Sequence, residues 1–195
     1  MIKVNNISYA YNLEKTIISD FSYEFEDGKS YIIYGENGKG KTTLIKLILG
    51  LIKPNAGTIQ KDKEDTIGYV PDYNGLYENL TLKDNIFFRL GLYNKKFDNV
   101  KENFEQWSKA YSLIQYMDVY VRELSLGTKK KAALLCTLLT SPQVLVLDEP
   151  TGGLDEMAKE ELINILKKLQ NEMMIITVTH DEYYIKSLDS ALIRI

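Results

Sequence analysis

Gly35-Glu36-Asn37-Gly38-Lys39-Gly40-Lys41-Thr42 follows the spacing G-x-x-x-x-G-K-[ST]. Glycines within it let backbone N–H groups turn inward around an anion, where a Cβ would obstruct them. The preceding Ser30-Tyr31-Ile32-Ile33-Tyr34 is short and nearly all apolar, as a buried strand would be. Thr42 to Leu51 reads as a largely apolar helix stopped by Lys53-Pro54. A strand, a glycine-rich turn and a helix N-terminus aimed at the turn form a phosphate cradle. In it the Lys41 ammonium is expected to reach the β- and γ-phosphates of a nucleotide, and the Thr42 hydroxyl to ligate Mg2+.

Outward from this loop, strand and helix patterns alternate, which predicts a parallel sheet with helical crossovers. Before the loop, Phe21, Tyr23 and Phe25 alternate with Ser22, Glu24 and Glu26 as a half-buried strand closed by Asp27-Gly28. After it, Asp65 to Val70, Val144 to Leu147, Met174 to Thr179 and Ala191 to Ile195 read as strands. Residues 76 to 122 read as a helical insert. Thr81-Leu82-Lys83-Asp84 is a helix start, and Val100, Phe104, Trp107, Tyr111 and Ile114 fall on one helical face. Leu162, Ile165, Leu166 and Leu169 mark the apolar face of a later helix.

Val144-Leu145-Val146-Leu147 runs into Asp148-Glu149. An apolar strand ending in two carboxylates is costly unless they are paired or bind a metal. With a phosphate loop upstream, Asp148 is expected to hold Mg2+, and Glu149 to face a water in line with the γ-phosphate as general base. His180, the single histidine, ends the strand Met174 to Thr179. Ligand sites of open parallel sheets lie outside such C-terminal strand ends, so Gly35, Asp148 and His180 are expected to converge.

Composition narrows the classes further. Hydrophobic residues make up 45% and charged residues 26% of 195 residues, which suits one globular α/β domain and excludes collagen-like and disordered chains. A net charge of −3 argues against nucleic acid as partner. The lone Cys136, within an apolar run, is expected to be an inert core thiol. No run reaches the roughly 18 apolar residues a membrane span needs, and the N-terminus has no apolar leader, so a cytoplasmic protein is expected.

These segments together resemble the nucleotide-binding domain of ABC transporters, in the family's order over almost the whole chain. Gly35 to Thr43 resembles its Walker A motif, so Thr43 joins the nucleotide contacts. Val144 to Glu149 resembles Walker B with the catalytic glutamate. Leu124-Ser125-Leu126-Gly127 resembles the LSGGQ signature, Gly153-Leu154-Asp155 the D-loop and Thr179-His180-Asp181 the switch-histidine segment. Tyr69-Val70-Pro71-Asp72 sits where the Q-loop lies, and Tyr11 where an aromatic ring stacks on adenine. The resemblance implies a P-loop NTPase core with a mainly parallel sheet, an N-terminal antiparallel β subdomain and an inserted α-helical subdomain, all in one domain over residues 1–195.

It implies further an ATPase that dimerises head to tail, as homodimer or heterodimer, around two ATP. Each ATP lies between one Walker A motif and the partner's signature, and the dimer drives separate integral membrane permease subunits from the inner face of the membrane. Catalysis falls to Glu149, His180 and Lys41. ATP contacts fall to Tyr11, Gly35, Asn37, Gly38, Gly40, Lys41, Thr42, Thr43, Ser125, Gly127 and Asp155, and Mg2+ contacts to Thr42, Asp72 and Asp148. Ser125 heads a helix running through Leu139, so its hydroxyl and the first N–H groups suit an anion supplied in trans.

Two departures stand out. The signature reads Leu-Ser-Leu-Gly-Thr, with Leu126 and Thr128 in place of the usual residues, and Asp72 replaces the Q-loop glutamine. A carboxylate at Asp72 can still ligate Mg2+ or orient water. Lys129-Lys130-Lys131 read as a solvated face beside the nucleotide. The signature variant is similar to that of drug or bacteriocin export and immunity ATPases. With no C-terminal regulatory domain of the importer kind, it makes export the expected direction. The alternative is a soluble ABC ATPase of a non-transport system, such as a cluster-assembly complex. A P-loop kinase is disfavoured by Glu149 and the signature segment.

Overall fold

The computed structural model describes residues 1–12, 15–62 and 66–195. In chain order, β1 (Ile2–Ala10) and β2 (Thr16–Phe25) precede β3 (Ser30–Tyr34), the glycine-rich loop and α1 (Lys41–Leu49). Next come β4 (Ala56–Lys61), β5 (Ile67–Val70), α2 (Leu82–Leu92) and α3 (Lys101–Ala110). The chain closes with α4 (Leu126–Leu138), β6 (Val144–Asp148), α5 (Glu156–Leu169), β7 (Met174–Thr179), α6 (Glu182–Ser187) and β8 (Ala191–Arg194).

Five strands form a parallel sheet in the order β5-β6-β7-β3-β8. Both faces are covered, so inward and outward residues of each central strand are alike apolar. Val144 and Val146 of β6 pack with Met174, Ile176 and Val178 of β7 and Tyr31 and Ile33 of β3 against α1 and the N-terminal sheet. Leu145, Leu147, Ile175 and Ile32 face the opposite way, against α4 and α5. Period-2 alternation thus divides one strand set between two cores.

The second sheet is antiparallel, in the order β2-β1-β4. β4, Ala-Gly-Thr-Ile-Gln-Lys, is mostly exposed and too polar to announce itself as a strand. The expected strand from Asp65 is β5 from Ile67, and Asp65 itself lies outside the described residues.

Two helix ends differ from the sequence reading. α1 stops at Leu49 rather than Leu51, because Gly50 takes φ 78° and its N–H caps the carbonyls of Leu47 and Lys46. α3 stops at Ala110, because Ser112 turns left-handed at φ 55°. Tyr111 is still buried at the helix end, but Ile114 begins a short 3-10 turn and is exposed, so the apolar face stops short of it. α2 starts as expected: Thr81 Oγ1 accepts from the Asp84 N–H and donates to its carboxylate. No helix among the described residues is long and apolar enough to cross a membrane.

Candidate functional site

The order β6-β7-β3 sets three C-terminal strand ends side by side. Asp148 pairs in register with Val178, and Tyr34 with Thr179. The glycine-rich loop, Asp148-Glu149 and His180 therefore meet at one edge. A cleft of about 460 Å3 opens there, lined by Tyr11, Asn37, Gly38, Gly40, Lys41, Thr42, Thr43, Asp72, Glu149 and His180 with Ile17. Gly35 borders the adjoining cleft.

The loop's conformation requires glycine at Gly40. It takes φ 101°, and a Cβ there would lie 2.8 Å from the Ile17 side chain. Gly40 is also the N-cap of α1 and offers no side-chain cap, and the helix has no acidic residue in its first turn. The first N–H groups of a helix have no partner within it, so those of Lys41, Thr42 and Thr43 are available to an anion. The buried Lys41 ammonium donates to the carbonyls of Gly35 (2.8 Å) and Glu36 (3.2 Å), poised at the cradle mouth. Tyr11 is 59% exposed, stands edge-on to Tyr9 and shares a 3.3 Å hydrogen bond with Thr43.

Asp148 is buried next to Thr42 and does not itself line the cleft. The Thr42 hydroxyl donates to its Oδ1 and the Tyr69 hydroxyl to its Oδ2, each at 3.4 Å. Burial pushes the Asp148 carboxyl above its ordinary range; the Thr42 hydrogen bond opposes this, and the charges of Glu149 and Asp72 add to it. A cation beside these carboxylates would relieve that penalty. Among the described residues, no three His, Cys, Asp or Glu side chains gather as a metal cage. One buried carboxylate beside one hydroxyl suits Mg2+, which takes few protein ligands and completes its shell with water and phosphate oxygens.

Glu149 departs from the strand at φ 45°, a left-handed conformation that is costly for a residue with a Cβ. Several bonds hold it. Its N–H donates to the Val178 carbonyl at 2.8 Å, and its Oε2 accepts from the Thr179 hydroxyl at 2.9 Å and from the His180 N–H at 3.4 Å. Its Oε1 lies 2.7 Å from His180 Nδ1. Behind His180, Asp181 takes the Lys159 ammonium at 2.8 Å and the Thr151 hydroxyl at 2.9 Å while capping α6.

Ser125, Gly127 and Asp155 do not line the cleft. Ser125 is the N-cap of α4: its Oγ accepts from the Thr128 N–H and shares a 2.8 Å hydrogen bond with the Thr128 hydroxyl. Asp155 caps α5 through the Ala158 N–H. The two helix starts touch, since a Cβ on Gly127 would sit 3.1 Å from that of Ala158. Ser125, Gly127 and Asp155 thus lie together, apart from the cleft.

Three contributors have no role assigned from sequence. Tyr69 and Thr179 enter there only as members of the Q-loop and switch-histidine segments, and their positions inside strands give no sign of the carboxylates they bond. The lysine run is corrected: Lys130 is buried, and Lys129 and Lys131 are largely covered in ion pairs with Glu78 and Glu161. α4 is packed on nearly every side, so Lys131 lies against α5, and Lys129 and Lys130 lie against the loops carrying Glu78 and Asp72 rather than in solvent.

A glycine-rich loop feeding a helix, beside a strand ending in Asp-Glu and a third ending in His, is the arrangement of a P-loop nucleotide-binding domain. A family model described as ABC transporter matches residues 18–152, and the chain belongs to that family. It is 34% identical to the sulfate/thiosulfate import ATP-binding protein CysA of Synechocystis, over 93% of this chain and 54% of that protein. It is also 34% identical to the zinc import ATP-binding protein ZnuC of Buchnera aphidicola, over 92% of this chain and 74% of that protein. The chain therefore spans about half the length of the first relative.

Among solved structures, cbiO1 of Clostridium perfringens, part of the ABC transporter complex cbiONQ, has a TM-score of 0.78 at 29% identity, covering 92% of this chain and 78% of that one. A dimeric bacterial ABC transporter cassette has a TM-score of 0.83 at 25% identity, covering 100% of this chain and 94% of that one.

Proposed function

We propose that residues 1–195 form one nucleotide-binding domain, with a helical insert at about residues 76–122, that hydrolyses ATP to drive a membrane transporter. The observation that carries the reading is the Glu149 carboxylate, held by Thr179 and His180 at the edge of the cleft that Lys41 and the glycine-rich loop line.

Lys41 and the N–H groups of the loop and first turn of α1 bind and orient the phosphates, with Tyr11 against adenine. Thr42, Asp148 and Asp72 would hold Mg2+, which would supply positive charge against the phosphate oxygens. Glu149 takes a proton from a water as that water's oxygen bonds to the γ-phosphorus and the bond to ADP breaks. His180, at 2.7 Å, keeps the carboxylate aimed.

Ser125, Gly127 and Asp155, set apart from the cleft, are read as the half-site that a second cassette's ATP meets. Support comes from the dimeric form of the similar bacterial cassette. Separate permease subunits would meet the helical insert near Asp72, keeping the chain peripheral on the cytoplasmic face. Export rests on Leu126 in the signature; two relatives are named importers, so the relatives do not favour it.

Glu149→Gln tests the chemistry. It should bind ATP as tightly as the wild type and lose turnover by about a hundredfold or more, the scale of a lost general base. Wild-type turnover in Glu149→Gln would remove Glu149 from the mechanism.

A further inference from the structure

We propose that Lys130 is a positioning residue for hydrolysis, and that the Asp72–Lys130 ion pair ties the signature helix to the base-bearing loop. The proposal rests on the reading of Glu149 given above.

Lys130 sits on the second turn of α4 with 3% of its surface exposed. Its ammonium has three acceptors: the Glu149 carbonyl at 2.8 Å, the Asp72 carbonyl at 3.0 Å and Asp72 Oδ1 at 3.3 Å. An ammonium has three protons, so this arrangement satisfies it completely. A buried cation is tolerated only where it is paired and hydrogen-bonded, and here the pairing carboxylate is Asp72.

The three joined segments are those that act on nucleotide. α4 starts at Ser125, Asp72 lines the cleft, and Glu149 is the strained residue bearing the proposed base. The Glu149 carbonyl is otherwise met by the Gly152 N–H at 3.1 Å. With φ held at 45°, the direction of that carbonyl and of the carboxylate are coupled through one Cα, so fixing one restricts the other. The carboxylate partner of Lys130 is Asp72, whose charge it offsets beside the Glu149 backbone.

Asp72 thereby acquires a role that a neutral side chain at this position would not fill: it is the counter-ion of Lys130. A displacement of α4 when its N-terminus engages a partner's nucleotide would pull on both Asp72 and Glu149 through this one ammonium.

The test uses the full chain in two measurements. In nucleotide-free protein, Lys130→Met should speed hydrogen exchange about tenfold at the amides of Gly152 and Asn74, whose acceptors are the Glu149 and Pro71 carbonyls, and leave the Leu44 amide of α1 unchanged. In steady-state hydrolysis, Lys130→Gln should lower kcat about tenfold or more, with KM for ATP within about threefold. In nucleotide-free protein, adding Asp72→Asn to Lys130→Met should speed exchange at Gly152 no further, because the two side chains act as one unit. A merely structural lysine would lower thermal stability without lowering kcat at a nearly unchanged KM.

Wild-type exchange at Gly152 and Asn74 in Lys130→Met, or a wild-type kcat in Lys130→Gln, overturns the proposal. So does a double variant of Lys130→Met and Asp72→Asn whose Gly152 exchange is the sum of two independent single-variant effects. If Lys130→Met does not fold, Lys130→Arg keeps a buried cation without the three-acceptor geometry and carries the same exchange test. If the wild-type chain does not hydrolyse ATP, the functional reading fails, while the exchange result still decides whether Lys130 holds the two segments.

Discussion

Thr179→Val isolates the hydroxyl that organises the end of β7. Thr179 is fully buried; its hydroxyl donates to Glu149 Oε2 at 2.9 Å and accepts from the Asp181 N–H at 3.0 Å. Valine keeps the branch and nearly the volume, so no cavity opens. The Glu149 side chain is only 17% exposed, so water does not replace the lost donor freely. Losing a hydrogen bond to a charged group costs about 1.5–3 kcal/mol, and the Asp181 N–H left without its acceptor adds up to a further ~1–3. Shared geometry makes these less than additive, and ~3 kcal/mol is a fair centre.

For a chain of this size each kcal/mol moves Tm by about 2–4 °C, so Thr179→Val should melt about 6–12 °C below wild type. Thr179→Ser keeps the hydroxyl and loses one methyl, worth ~1 kcal/mol. Scanning calorimetry of the three proteins at neutral pH without nucleotide decides between bonding and packing. A Tm for Thr179→Val within 2 °C of wild type, or serine worse than valine, would refute the hydrogen-bond account.

Gly40→Ala must push a Cβ into Ile17 at φ 101°, so nucleotide affinity should fall by about tenfold or more; equal affinity in a fluorescent-nucleotide titration would contradict the cradle geometry. Burial opposes ionisation of Asp181, but the Lys159 and Thr151 hydrogen bonds outweigh it and hold the carboxyl below its ordinary range. The resulting stabilisation is present above the unfolded value of about pH 4 and is lost as pH falls through the folded one. The stability gap between wild type and Lys159→Met should therefore shrink toward pH 2, and a gap independent of pH would refute the pairing. Burial pushes the Cys136 thiol up to about 12, against the opposing charge of Arg89, so a thiol reagent at pH 8 should label it only after denaturation. Labelling of the native protein at the rate of a free thiol would place Cys136 outside the core.

The parallel sheet was legible because each central strand is a short apolar run with a helix pattern after it. The cradle was legible because Gly35, Gly40, Lys41 and Thr42 do one job at fixed spacing. Asp148 and Glu149 were legible because carboxylates at the end of Val-Leu-Val-Leu have no packing rationale. What stayed hidden depends on contacts between distant segments. β4 becomes a strand by pairing with β1, not through its own residues. Tyr69 faces Asp148 only because β5 and β6 are neighbours. Lys130 lay within a run of three lysines, a pattern that says solvent until α4 is packed. The separation of Ser125 and Asp155 from the cleft is a property of the fold, and only the resemblance anticipated a use for it.

The central claim is that this cleft is half of a composite site, completed by the Ser125 surface of a second cassette. Light scattering on Glu149→Gln with saturating Mg-ATP tests it most directly, because the variant should hold ATP without turning it over. The account predicts a species of two 22.4 kDa chains that returns to one chain when Ser125→Arg is added, with ATP binding to the cleft retained. A species of one chain at every ATP concentration, with ATP bound, would contradict it.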